Sequence, residues 1–113
     1  MHEVGVAEEV LKTVLSIAKE NNASKVTEVV LKLGSISGVS ADALQFAFDA
    51  IKEGSIAEGA KFQIDIIKAV GVCADCGKES IPDTFFSICD HCGAPTLEIV
   101  AGKEFEIDYI DVE

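Results

Sequence analysis

Two pairs of cysteines, each with two residues between its members, are the residues of this sequence best suited to chemistry. The first pair is Cys73 and Cys76, the second is Cys89 and Cys92, and twelve residues separate the pairs. A two-residue gap lets two thiolates converge on one ion, and the glycine after each pair tolerates the positive φ that a tight knuckle commonly requires. Four thiolates in a tetrahedron form the closed arrangement of structural zinc sites, so we predict one structural Zn²⁺ with no position open for a substrate.

Other interpretations of the cysteines are less consistent with the sequence. Two disulfides would require an oxidising compartment, and no secretory signal is expected from the first residues. A thioredoxin-like redox pair would use one C-x2-C beside a βαβ unit and not two matched knuckles. An iron site of rubredoxin type has the same four-sulfur geometry, and the spacing alone leaves it open. We interpret His91, inside the second knuckle, as a surface residue, with tuning of the site as the alternative.

The first three residues offer a second set of metal ligands. The Met1 amine, the amide nitrogen of His2 and Nδ1 of its ring can form fused chelate rings around one ion. These donors are nearly coplanar, a geometry that Ni²⁺ or Cu²⁺ accepts and that zinc does not prefer. Glu3 could complete the set through its amide or its carboxylate. The residues alone leave open whether this is a metal site or an incidental histidine.

The charge and composition narrow the class of protein. Nine lysines, no arginine and twenty acids give a formal net charge of −11. Nucleic-acid binding and binding to anionic membranes both need a basic surface, so we expect neither. No apolar run is long enough to span a bilayer, and we expect a cytoplasmic protein. No nucleophile set remains once the cysteines bind metal, and no phosphate-binding loop is present, so we do not expect an enzyme.

The hydrophobic pattern predicts two helices and three strands. Residues 4–21 form an amphipathic helix, and Ser40 can cap a second helix. Alternating or β-branched apolar residues indicate strands at 25–33, 62–66 and 105–109. This order predicts an α+β fold in which two helices pack on a small three-stranded sheet, with an inserted zinc-ribbon-like lobe.

Several segments together resemble the HypA/HybF family of hydrogenase maturation factors, which insert nickel. The resemblance covers essentially the whole chain in order. The segments that carry it are Met1-His2-Glu3 at the start of a helix, 26–34, 43–49, the turn 57–60, the two cysteine knuckles and the closing residues 110–113.

The resemblance implies a nickel metallochaperone that works with a HypB-type nickel GTPase and delivers nickel to the [NiFe] hydrogenase large subunit. Some members also serve urease. It implies that His2 ligates nickel, that Glu3 takes part in nickel delivery and that the four cysteines bind zinc. A nickel-binding domain of residues 1–70 plus 98–113 and a zinc-binding domain of residues 71–97 are then expected. Val4-Gly5 departs from the helix-favouring residues expected after Glu3, and Gly5 should loosen the first turn by about 1 kcal/mol.

Overall fold

The computed structural model of the chain describes residues 2–82 and 88–113, apart from the side chain of His2. Its helices are α1 (His2–Glu20) and α2 (Ala41–Ile51). Its strands are β1 (Val26–Gly34), β2 (Lys61–Ile67), β3 (Val70–Cys73), β4 (Glu79–Ser80), β5 (Leu97–Ala101) and β6 (Phe105–Val112).

The helix α1 buries one apolar stripe and ends where the sequence predicts. Ala7, Val10, Val14 and Ala18 recur every three or four residues and are at most 3% exposed. The helix ends in a Schellman motif at Asn22, which has φ 55°. The amide of Asn22 donates to the carbonyl of Lys19 at 3.1 Å, and the amide of Ala23 donates to the carbonyl of Ala18 at 2.9 Å. Asparagine tolerates this left-handed conformation better than most residues.

The helix α2 begins at the predicted cap. The hydroxyl of Ser40 accepts a hydrogen bond from the amide of Ala43 at 3.3 Å, which satisfies one of the free N–H groups of the first turn. Leu44, Ala47 and Phe48 form the buried stripe. The ring of Phe48 stacks on that of Phe62 in β2, with 4.1 Å between ring centroids. This contact fixes the helix against the sheet that carries Phe62.

The three predicted strands form one sheet in the order β2-β1-β6. Both helices pack on it, and the shared core includes Val14, Val29, Leu31 and Phe48. The prediction of two helices on a small three-stranded sheet is therefore confirmed. Strand β6 departs from strict alternation, because Ile107 and Ile110 both pack against the core.

The chain divides into two compact units. The first comprises Met1–Lys32, Val39–Asp65 and Glu106–Glu113 and contains the helical core. The second comprises Leu33–Gly38 and Ile66–Phe105 and contains the cysteines. The assignment of nickel binding to residues 1–70 plus 98–113 and of zinc binding to 71–97 stays a prediction.

The second unit has its own antiparallel sheet in the order β4-β3-β5. Its strands are two to five residues long. Within the described ranges, neither helix is both long enough and apolar enough to cross a membrane.

Candidate metal centre

The four cysteine sulfurs converge on one point. Their Sγ atoms all lie within 4.8 Å of one another. Cys73 Sγ is 3.6 Å from Cys92 Sγ, and Cys76 Sγ is 3.6 Å from Cys89 Sγ. These distances are far longer than a disulfide bond of about 2.05 Å. A tetrahedral zinc site with Zn–S bonds of about 2.3 Å has sulfur–sulfur edges of about 3.8 Å, so the cluster fits a four-thiolate ion.

The backbone builds the two knuckles in the same way. In the first, the amide of Gly77 donates to the carbonyl of Cys73 at 2.8 Å; in the second, Gly93 donates to Cys89 at 2.9 Å. Both glycines have positive φ, 76° and 75° respectively. A side chain would strain this conformation, which explains a glycine after each pair. In each pair the first cysteine is buried and the second is exposed.

The knuckles also point amides at sulfur. The amide of Cys76 lies 3.5 Å from the Sγ of Cys73, and the amide of His91 lies 3.3 Å from the Sγ of Cys89. Such donors stabilise a thiolate, because a negative sulfur accepts a stronger hydrogen bond than a neutral thiol. The same bonds orient the sulfurs toward the common point.

The pKa values of the thiols reflect the short distances between the four sulfurs. The amide of Cys76, with the hydroxyl of Thr96, lowers the pKa of Cys73 from 9.0 to about 6, although burial opposes the shift. The amide of Ala94 lowers the pKa of Cys92, but the Cys73 sulfur and burial outweigh it and raise that pKa to about 12. Four sulfurs this close cannot all ionise unless a cation offsets their repulsion, and a divalent metal ion supplies that charge.

Of three polar side chains beside the cysteines, only His91 was considered from the sequence, whereas Ser80 and Thr96 were not identified. Ser80 is 6% exposed, accepts a hydrogen bond from the Asp90 amide at 3.0 Å and lies 4.0 Å from Cys89 Sγ. Thr96 Oγ1 lies 3.6 Å from Cys73 Sγ. Nε2 of exposed His91 lies 3.0 Å from the carbonyl oxygen of Glu79, to which it can donate. The His91 ring therefore contacts a backbone carbonyl, which is consistent with the interpretation of His91 as a surface residue.

The proposed nickel ligands are described only in part. Met1 and the side chain of His2 lie outside the described residues, and His2 is the first residue of α1. The carboxylate of Glu3 accepts a hydrogen bond from the amide of Ser40, the cap of α2, at 3.3 Å. Glu3 thus connects the start of α1 to the start of α2, a contact that no sequence pattern indicated. Whether Met1, His2 and Glu3 converge on one ion stays a prediction.

The chain is similar over its whole length to known proteins of one kind. A family model described as hydrogenase/urease nickel incorporation, metallochaperone, HypA, matches residues 1–112. The hydrogenase maturation factor HypA of Aquifex aeolicus is 36% identical over 113 residues, which are 100% of this chain and 98% of the relative. That of Rhodobacter capsulatus is 38% identical over 112 residues, 99% of each chain.

Solved structures give the same result. A solution structure of a HypA protein has a TM-score of 0.72 and 25% identity and covers 100% of this chain and 97% of its own. The solution structure of the Ni metallochaperone HypA from Helicobacter pylori has a TM-score of 0.69 at 24% identity, with 97% of this chain and 96% of its own covered. At that identity the second likeness concerns the fold alone.

Proposed function

The chain belongs to the HypA family of hydrogenase maturation factors and nickel metallochaperones, and on this premise we propose that it binds Ni²⁺ at its N-terminus for insertion into [NiFe] hydrogenase. One observation carries the proposal: the family match runs from residue 1 to residue 112 and so includes both the N-terminal residues and all four cysteines. The ligands we assign to nickel are His2, Met1 and Glu3.

The four cysteines hold a structural Zn²⁺ in this proposal. The two sulfur–sulfur distances of 3.6 Å and the amides directed at sulfur support a closed thiolate site. Such a site has no open position, so its ion is not exchanged as cargo. The ion would stabilise the fold of the second unit, which contains the cysteines, because binding free energy in a structural zinc site is folding free energy.

The N-terminal residues suit a transient nickel ion for chemical reasons. The amine, amide and imidazole nitrogens of Met1 and His2 offer a planar donor set, which Ni²⁺ accepts. His2 begins α1, and the first N–H groups of a helix have no intrahelical acceptor. The amide of His2 can therefore lose its proton and bind the metal without breaking a bond of the helix.

The helix dipole makes a nearby carboxylate useful. The start of a helix carries a partial positive charge that disfavours a cation by roughly 0.3–1 kcal/mol. A negative group at Glu3 offsets this cost, whether it ligates nickel or acts as a neighbouring charge. Its hydrogen bond from the Ser40 amide places the carboxylate between the start of α1 and the cap of α2.

The partners follow from the same premise. The chain lacks a phosphate-binding loop, so the energy for nickel transfer must come from another protein, which we propose is a HypB-type nickel GTPase. The [NiFe] hydrogenase large subunit is the proposed recipient. The family description also names urease, so urease maturation proteins are further candidates. The chain acts as a carrier and not as an enzyme.

The two histidines of the sequence allow a matched test. We expect purified protein to contain one zinc per chain and to bind one further nickel ion in a titration followed by Ni²⁺ absorbance. His2→Ala should abolish nickel binding and keep the zinc, because the ring nitrogen of the N-terminal chelate is removed while the cysteines are unchanged. His91→Ala is the control and should bind nickel normally. Nickel binding retained in His2→Ala would refute the assignment, and so would nickel binding lost in His91→Ala.

A further inference from the structure

Two of the sulfur–sulfur contacts in the cysteine cluster run from one knuckle to the other. Cys73 Sγ is 3.6 Å from Cys92 Sγ, and Cys76 Sγ is 3.6 Å from Cys89 Sγ. In both contacts one cysteine is buried and the other is exposed, because Cys73 and Cys89 are buried while Cys76 and Cys92 are exposed. A small solute can therefore reach one member of each contact while the other member remains beside it.

The exposed cysteines are open to attack by an oxidant. The thiolate, and not the thiol, is the form of cysteine that binds a metal ion and also the form that acts as a nucleophile. A sulfur that is ionised as a metal ligand is thus already in its reactive form, and exposure then decides which sulfur an oxidant meets. Cys76 and Cys92, one in each knuckle, are the sulfurs that a solute meets first.

The buried cysteines are suited to complete the reaction. The amide of Cys76 lies 3.5 Å from the Sγ of Cys73, and the amide of His91 lies 3.3 Å from the Sγ of Cys89. These donors favour the thiolate form of both buried sulfurs. Burial shields Cys73 and Cys89 from the oxidant, and each contacts an exposed sulfur of the other knuckle. Each buried thiolate can therefore attack a neighbour that has been oxidised.

We propose that hydrogen peroxide converts this cluster into two disulfides, Cys73–Cys92 and Cys76–Cys89, with release of its zinc. The exposed thiolate attacks one peroxide oxygen and breaks the O–O bond, which gives a sulfenic acid; the other oxygen takes up a proton and leaves as water. The buried thiolate then attacks the sulfenic sulfur, and the displaced hydroxyl leaves with a proton as a second water. Each pair of sulfurs thereby gives two electrons to one peroxide.

The reaction acts on one unit of the chain. All four cysteines lie in the second unit, within Ile66–Phe105, and the described core around the helices contains no cysteine. The two disulfides would join residues 19 and 13 positions apart, so the knuckles would stay linked to each other after the ion has left. Bonds within each knuckle would leave the knuckles unconnected. A thiol reductant and Zn²⁺ should therefore restore the oxidised unit.

This inference rests on the proposed function in one respect, the assignment of zinc to the cysteines, and does not involve nickel. Its test oxidises the purified full chain with hydrogen peroxide and follows Zn²⁺ release with a colorimetric chelator. The remaining thiols are then blocked, and the chain is cut before aspartate and after lysine. Each cysteine then lies on a separate peptide, and these peptides are 69–74, 75–78, 83–89 and 90–103.

We expect release of one Zn²⁺ per chain. Mass spectrometry without reduction should find peptide 69–74 linked to 90–103 and peptide 75–78 linked to 83–89, because these links correspond to the two contacts at 3.6 Å. Dithiothreitol with added Zn²⁺ should restore the zinc content. The matched control is the same protein unfolded in urea with a chelator and then oxidised, which should give mixed pairings because no fold selects among them.

Four results would overturn the proposal. They are disulfides within each knuckle, a Cys73–Cys89 disulfide, sulfinic acids without disulfides, or zinc retained in excess peroxide. A chelator without peroxide should leave all four thiols free, which separates oxidation from simple loss of the ion. The zinc content before oxidation tests the zinc assignment independently: protein purified without zinc would refute that assignment, while the disulfide pairing would still decide between the proposed contacts and the alternatives.

Discussion

The cysteines differ from one another in ways that their common spacing does not reveal. Cys73 and Cys89 are 1% and 2% exposed, whereas Cys76 and Cys92 are exposed. The buried pair have lowered pKa values, chiefly because backbone amides donate to their sulfurs, and the exposed pair have raised ones. The amides beside the buried sulfurs thus favour the thiolate form, and a bound ion would stabilise the ionised form of the other two.

Removing a buried sulfur should abolish zinc binding and destabilise the fold around the cysteines. In Cys73→Ala we expect elemental analysis to find little zinc and circular dichroism to show a less cooperative unfolding transition. The physical reason is that structural zinc contributes on the order of 10 kcal/mol to folding. His91→Ala should retain one zinc per chain. A full complement of zinc in Cys73→Ala, or iron in the unaltered protein, would contradict this.

Tyr109 reports on the acidic surface of the sheet. The negative charge of Glu28 raises its pKa above 10.0, with further contributions from burial and from Asp111, Asp108 and Asp65. Because this is the only tyrosine and there is no tryptophan, an ultraviolet titration follows this one group. We expect Glu28→Gln to lower the pKa of Tyr109 toward 10.0.

The control for this titration is Glu20→Gln, since Glu20 is not among the groups that raise the pKa of Tyr109. A raised folded pKa favours the neutral phenol. Its contribution to stability is therefore complete below the unfolded pKa and is lost as the pH rises through the folded pKa. Identical titration curves for Glu28→Gln and the unaltered protein would show that Glu28 does not act on the phenol.

At the scale of elements, local sequence signals predicted the helices and the longer strands well. The cap at Ser40 and the stop at Asn22 depend on residues next to the helix ends, so the sequence contains them. The strands β3 and β4 were not predicted, because four and two residues are too few to show a period, and the five residues of β5 were missed where the predicted cysteine lobe ends. The hydrogen bond between Glu3 and Ser40 spans 37 positions and depends on tertiary packing.

Gly5 shows how an element tolerates an unfavourable residue. The sequence predicted a loosened first turn, yet α1 runs continuously from His2. A Cβ at Gly5 would meet nothing within 4 Å, whereas one at Gly34 would overlap the carbonyl of Gly102. Tertiary burial of Ala7 and Val10 holds the turn that Gly5 weakens.

The two glycines should therefore respond to alanine with opposite signs. Gly5→Ala should raise the free energy of unfolding by up to about 1 kcal/mol, since alanine loses less conformational entropy in a helix. Gly34→Ala should lower it, because the strand must move away from Gly102. Urea denaturation measures both. A destabilising Gly5→Ala would mean that the first turn is strained in a way its open surroundings do not indicate.

At the scale of the whole molecule, the proposed function assigns two kinds of metal ligand to two purposes. Four soft thiolates enclose one ion completely, which suits an ion that stays. Nitrogen donors at a chain terminus are open to solvent and to another protein, which suits an ion that leaves. The proposed carrier function requires that nickel can be removed while the zinc and the fold remain. The sequence supplied both ligand sets, but the described residues include only the thiolate set in full.

The nickel site should weaken as the pH falls, because amine, amide and imidazole must all lose protons before they bind the ion. The most direct test compares nickel titrations of protein with its native start and of protein extended by one residue before Met1. We predict that the extension removes the terminal amine as a ligand and lowers nickel affinity at least tenfold, with one zinc per chain in both proteins. Equal nickel affinities would contradict the account, because the Met1 amine would then not be a ligand.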